Sequence, residues 1–455
     1  MTNTDVSATV ELSSDYQSKF FNALSPTDLL HDEVVQRRET GYDIDAFVAE
    51  ANQTDPNDSA AVLDIVDRMD TAVRLPGWNY VEPDGLEEIE ATLGPQAKAK
   101  SLPELTLRDK IHAAWLGRIA GCNVGKPVEW GSHWTAEHIR EYLILADAYP
   151  LRDYVPVLDP MPAGFQLTEC WPETTRGNVK GSARDDDIDY PILALHLLEQ
   201  HGRALTPEHV GAAWTRLFPI EQVFTAERAA YVNLIDGFTG SDIARRRNPY
   251  REWIGAQIRG DMFGYVYAGD PWQAAKLSYK DASLSHVRNG VYGEMWAAAL
   301  VAAAFTASSA QEAVEQSLAV VPPQSRLAEA LRHVLELKAA GITWEAALDE
   351  IQAEYGHYSW VHTINNAAAV AAALLWSDDD FVTGVGRVVM SGWDTDSNGA
   401  TVGSVLGVLL GTKKLPEHLI APLENRTRSA LFGFDNSVIS DLADRTARLA
   451  LNGLK

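Results

Sequence analysis

Apolar positions recur at three- and four-residue spacing along most of the chain, and runs alternating with period two are scarce, which predicts helices rather than strands. After Pro103, the positions Leu107, Ile111, Ala114, Trp115 and Ile119 mark an amphipathic helix. Pro127 stops it and leaves Glu129 in the following loop. Ile188, Ile192, Leu195 and Leu198 define a second helix that opens on the acidic run of GSARDDDIDYPILALHLLE. Two alanine-rich stretches, EMWAAALVAAAF at 294–305 and HYSWVHTINNAAAVAAALLW at 357–376, each follow a polar lead-in. Near the C-terminus, SGWDTDSNGATVGSVLGVLLG (391–411) sets Gly399, Gly403, Gly407 and Gly411 four apart, which bares one helix side for close approach by another helix. Gly117, Gly121 and Gly125 repeat that spacing in the helix after Pro103. The expectation is an all-α fold, a compact orthogonal multi-helix bundle, with functional groups at helix entrances.

Two stretches read differently. Residues 131–180, rich in aromatics and proline, form a long connection, and residues 1–100 form a helical extension packed on a body of 101–455. Its first 20 or so residues are polar and frayed, whereas GWNYVEPDG (77–85) packs on the body.

Composition then narrows the function classes. A formal charge of −25 leaves no basic excess to displace counterions from phosphates, so a nucleic-acid partner is excluded. Two cysteines, Cys122 and Cys170, rule out a disulfide scaffold or a cysteine zinc site. The start of the chain does not read as a signal peptide and no apolar run reaches bilayer length, so a cytoplasmic protein with no membrane partner is expected. Oligomeric state is not readable from the chain.

The candidate chemistry is acidic. Glu129, the run Asp185-Asp186-Asp187 with Asp189, and Asp394/Asp396/Ser397 are far apart in sequence, yet a helical bundle can bring helix ends together. Converging carboxylates repel unless cations bridge them. Oxygen ligands suit a hard cation such as Mg²⁺ or Ca²⁺, and two Mg²⁺ ions about 3.5–4 Å apart would orient and activate a water. The plainer reading of the triple aspartate is a solvated helix start, favoured by the helix dipole. That reading is weaker for Asp394/Asp396/Ser397, which adjoin a glycine-rich helix of buried character.

His286 and His362 precede buried helices and are candidate substrate contacts or structural residues. Asn289, Gly290 and Tyr292 in the RNGVYG turn are candidates for holding a ligand, with a plain turn as the alternative. Asn365 and Asn366 cap their helix or face a pocket, and Arg245-Arg246-Arg247 reads as an exposed loop facing acidic surface. No G-x-S-x-G, Walker-type or H-E-x-x-H element is present.

The ordered set KIHAAWLGRIAGCNVGKPVE, DDDIDYPILAL and GWDTDSNGATVGSVLG resembles the ADP-ribosylglycohydrolase family, over roughly 105–450. That family includes nitrogenase-reductase-activating glycohydrolases and a lens crystallin. The resemblance implies a compact all-α bundle holding two Mg²⁺ (or Mn²⁺) ions in a cleft, and cleavage at the anomeric carbon of an ADP-ribosyl group on a protein or small molecule. It assigns metal binding to Asp185, Asp186, Asp187, Asp394, Asp396 and Ser397. Catalytic roles fall to Glu129, Asp186 and Asp396, with Glu129 also touching substrate. Asp185 stands where the family motif has threonine, and Ile188 replaces a second threonine. A one-residue slip of this motif is disfavoured because it would turn the polar Asp189 toward the core. Two alternatives stand beside this reading: a hydrolase of a nucleoside or other ribosyl metabolite lacking the diphosphate, and a non-enzymatic protein reusing the fold, as the crystallin does. Clustered carboxylates without a role would only cost stability, which favours an enzyme.

Overall fold

The computed structural model describes residues 25–454, so the expectation for the first 20 residues lies outside the described residues. The described chain is all-α, and its only sheet is the two-residue antiparallel pair Arg426–Thr427 with Ser437–Val438.

At the centre lie the helices Glu104–Gly125 and Thr395–Leu410, packed along their glycine faces. Gly117 faces Gly403, Gly121 faces Gly399, and Gly125 faces Thr395, in each case backbone against backbone. No side chain separates these axes, which is what the four-residue glycine spacing allows. The alanine-rich helices Asn289–Ala304 and Thr363–Leu375 are buried along their whole length. Alanine on every face suits such helices, because it has the best helix propensity and lets neighbours approach from all sides.

The helix after the acidic run spans Asp186–His201, with Ile188, Ile192, Leu195 and Leu198 all buried and Pro191 tolerated in its second turn. Asp189 is also fully buried, against the expectation that the core would reject it. Arg184 Nε donates to its Oδ2 at 2.8 Å and Ser429 Oγ to its Oδ1 at 2.6 Å, so its charge is paired. The 131–180 connection carries a helix, Ala136–Leu145, that its aromatic composition hid, and a single helical turn at Trp171–Thr174. It also braces the loop before Glu129, through bonds from Thr168 to the carbonyls of Lys126 and Pro127.

The N-terminal segment forms helices Pro26–Glu39, Asp45–Ala51, Ser59–Arg68 and Leu86–Thr92, and gathers a small apolar cluster of its own around Val34, Ile44, Ile65 and Met69. It meets the body through Ile89, buried in the main core with Leu86 and Leu93 beside it, and through a set of ion pairs. Glu33 takes both ends of the Arg251 guanidinium at 2.8 Å, and Glu82 takes Arg326 at 2.9 and 3.0 Å. The triple arginine joins in, with Arg245 on Asp84 and both Arg246 and Arg247 on Asp67. No helix among the described residues is long and apolar enough to cross a membrane.

Candidate functional site

Three chain segments meet at the N-terminal end of the Thr395–Leu410 helix. The first is the turn Lys126–Val128, which carries the chain out of the Glu104–Gly125 helix to Glu129. The second is the start of the Asp186–His201 helix. There Asp185 is the N-cap, its Oδ1 accepting the Asp187 backbone N–H at 2.9 Å. The third is Gly392-Trp393-Asp394. Trp393 sits at φ 61°, a left-handed conformation uncommon for so bulky a residue, and turns the chain sharply into the helix. Asp394 thereby lies at the helix entrance with Asp396 and Ser397 in the first turn.

Cross-bonds tie the segments together. Thr395 Oγ1 donates to the Gly125 carbonyl at 3.0 Å, and Ser397 Oγ donates to Asp187 Oδ2 at 2.9 Å. Asn366 Oδ1 accepts the Asp394 N–H at 3.2 Å and Asn398 Nδ2 at 2.7 Å, which places Asn366 beside the cluster rather than at a cap. Two acidic groups result, each with its ligand atoms within 4.8 Å of one another. One is Glu129, Asp394 and Asp396; the other is Asp185, Asp187 and Asp396 with the Cys122 thiol. Asp186 stands half-buried at the edge.

Electrostatics follow from crowding. Burial first, then the neighbouring Asp396, push the Glu129 and Asp394 carboxyls well above their ordinary values. Asp187 is likewise raised by burial, with Arg118 opposing. Arg118 is fully buried, reaching Asp187 Oδ1 at 3.2 Å and Asp261 Oδ2 at 2.8 Å. Lys126 forms an ion pair with Asp185 and lies 3.9 Å from Asp396. Crowded, buried carboxyls whose charged forms are disfavoured in this way are a natural place for a divalent cation, which would favour those charged forms.

The other residues expected to touch substrate are each engaged within the protein. Asn289 donates to Glu82 at 2.8 Å and Glu252 at 3.0 Å and accepts from the Leu327 N–H at 3.1 Å, which leaves its amide little capacity for a ligand. The Tyr292 hydroxyl donates to the Pro83 carbonyl. The Gly290 N–H donates to the Val287 carbonyl at 3.0 Å, and its α-carbon is pressed against the Arg251 backbone. His286 is buried with Nδ1 on Ser285 at 2.8 Å, and His362 caps its own helix through the Ile364 N–H at 3.2 Å. For Asn289 and Tyr292 the partners come from the N-terminal segment, which brings Glu82, Pro83 and Asp84 to this face. Asp84 accepts the Arg288 N–H at 3.1 Å and Glu82 the Arg326 N–H at 3.1 Å, so both occupy helix N-termini that an anion would otherwise use.

Sequence reasoning passed over Arg118 and Lys126. The signal was present, because an added carboxylate at Asp185 calls for an added cation, and these are the two basic side chains of GRIAGCNVGKPVEW.

A family model described as ADP-ribosylglycohydrolase matches residues 103–453. A solved structure described as an ADP-ribosylglycohydrolase-related protein complex aligns at 18% identity with a TM-score of 0.40, covering 76% of this chain and 99% of that one. No curated protein matches the chain.

Proposed function

We propose that this chain, which belongs to the ADP-ribosylglycohydrolase family, is a divalent-metal-dependent hydrolase. Its target is the glycosidic bond at the anomeric carbon of a ribosyl group, with ADP-ribosyl on a protein or small molecule as the leading substrate class. The observation that carries this reading is the meeting of Glu129, Asp185, Asp187, Asp394 and Asp396 from three distant segments in two groups of ligand distance.

The donor set fits a hard cation. Glu129, Asp394 and Asp396 offer only oxygen, which suits Mg²⁺ or Mn²⁺, and no histidine joins them. Asn398 adds a buried side-chain oxygen without a partner close to Asn366 and Asp394. When bound, such a cation supplies Lewis acidity and a template for substrate hydroxyls.

The chain's own groups do the rest. Glu129, half-buried beside Asp396, is placed to take a proton from an attacking water once a bound cation favours its charged form. Asp186 at the rim is the second candidate for that role. The anionic walls offset positive charge developing on the ribose ring as the bond breaks. Ser397 and Arg118 hold Asp187 in place from two sides.

A second reading, a ribosyl substrate lacking the diphosphate, has one observation in its favour: Glu82 and Asp84 occupy the two helix N-termini described above. One panel separates the two. ADP-ribosyl-arginine, O-linked ADP-ribose and a set of nucleosides are incubated with the protein, with Mg²⁺ or with EDTA, and ribosyl products are quantified. Turnover of the ADP-ribosyl compounds lost in EDTA and in Asp396→Asn is expected. Full turnover in EDTA, or wild-type turnover by Asp396→Asn, would sink the metal-dependent reading. Cleavage of nucleosides alone would select the second.

A further inference from the structure

The two acidic groups are not equivalent. The group around Asp185 already contains a cation: the Lys126 ammonium pairs with Asp185 Oδ2 and stands 3.9 Å from Asp396 Oδ2. Both Asp185 oxygens are thereby engaged, one on the ammonium and one on the Asp187 N–H. Arg118 adds a second positive charge, 3.2 Å from Asp187 Oδ1. The remaining donor of that group, the Cys122 thiol, is a soft ligand ill-suited to Mg²⁺. Lys126 does not sway freely either. Its backbone lies in the turn before Pro127, its carbonyl accepts from Thr168 Oγ1 at 2.7 Å, and its side chain is 14% exposed. By contrast, the group of Glu129, Asp394 and Asp396 meets Lys126 only at longer range, 3.9 Å from Asp396 Oδ2 and through space at Glu129, and neither of those carboxylates holds the ammonium as Asp185 does.

We propose that Lys126 is a built-in cation occupying the place of one of two divalent ions, so that the chain holds a single divalent ion on Glu129, Asp394 and Asp396. Asp185 and Lys126 then act as a matched pair. The carboxylate anchors the ammonium, and the ammonium cancels the charge that aspartate adds where the family motif has a neutral threonine. A divalent ion entering the Asp185 group would have to sit beside that ammonium, and like-charge repulsion disfavours it. This inference rests on the metal-dependent reading above and concerns only how many ions that site takes.

The test is Mn²⁺ binding to the full chain, by calorimetric titration and by electron paramagnetic resonance. Wild type is expected to bind one ion, with the six-line signal of an isolated Mn²⁺. The double variant Lys126→Met/Asp185→Thr is expected to bind two, with the signal of an exchange-coupled pair, and Lys126→Arg to stay at one. Two ions in wild type would overturn the inference and leave the metal-dependent reading standing. No ion in folded wild type would overturn both. Should the double variant fail to fold, the wild-type stoichiometry and spectrum decide alone. A folded double variant that still binds one ion would show that Lys126 is not what excludes the second.

Discussion

Alanine at Gly121 is expected to destabilise the protein although alanine is the better helix former. A Cβ built on Gly121 lies 2.6 Å from the carbonyl carbon of Gly399, closer still to its oxygen, and 3.3 Å from the Ala400 nitrogen. Carbon atoms in contact prefer about 3.5–4.0 Å, so the two helices must part by roughly 1 Å. The obstacle is main chain in a rigid helix and cannot rotate aside. Overpacking of this kind costs about 1–3 kcal/mol, and a backbone obstacle places it at the upper end. Alanine returns about 1 kcal/mol of helix propensity, leaving a net loss of about 2 kcal/mol. At about 2.1 cal/mol/K of unfolding entropy per residue, a body of this size melts about 3 °C lower for that loss. Gly211→Ala is the control, because there the nearest atoms are Leu234 methyls at 3.1 and 3.2 Å, which can yield. Urea unfolding and thermal melts of both variants measure the contrast. A Gly121→Ala protein as stable as wild type, or more so, would refute the backbone-contact argument.

Three further outcomes are expected. Glu129, Asp187 and Asp394 have pKa values raised above those of the unfolded chain, chiefly by burial. The metal-free folded protein therefore binds more protons than the unfolded chain, and its stability falls as pH rises from the ordinary carboxylate range through the raised values. The melting-point gain from Mg²⁺ should accordingly be larger at about pH 8 than at about pH 5, and a gain independent of pH would contradict this assignment. Arg326→Met strands Glu82 and Glu252 in a buried setting, and a loss of about 3–5 kcal/mol is expected in chemical denaturation, with a loss below about 1 kcal/mol counting against the network. Cys122 is buried and its thiol is pushed well above the usual range, so peptide mapping after iodoacetamide treatment of native protein should find it unlabelled; rapid labelling would show the site open.

Local pattern along the chain was enough for the helical class, for the glycine faces of the two central helices and for carboxylates at helix entrances. Each rests on spacing within a single element: 3.6-residue periodicity, glycine at every fourth place, acids ahead of an apolar run. Tertiary structure decided what those entrances meet. Asn289, Tyr292 and His362 looked like ligand contacts because polar groups stood at the mouths of buried helices. Their partners, Pro83, Glu82 and Glu39, come from about 200 or more residues earlier in the chain, where no local signal refers to them. Asp189 showed the same blindness, since a polar residue is accepted in the core once Arg184 and Ser429 reach it. Lys126 and Asp185 lie 59 residues apart, and only the fold makes them one ion pair. Helix formation is settled over a few neighbouring residues, whereas charge compensation acts through space; the chain alone therefore marked the carboxylates at helix entrances, and the packing of helix ends chose the cations that answer them.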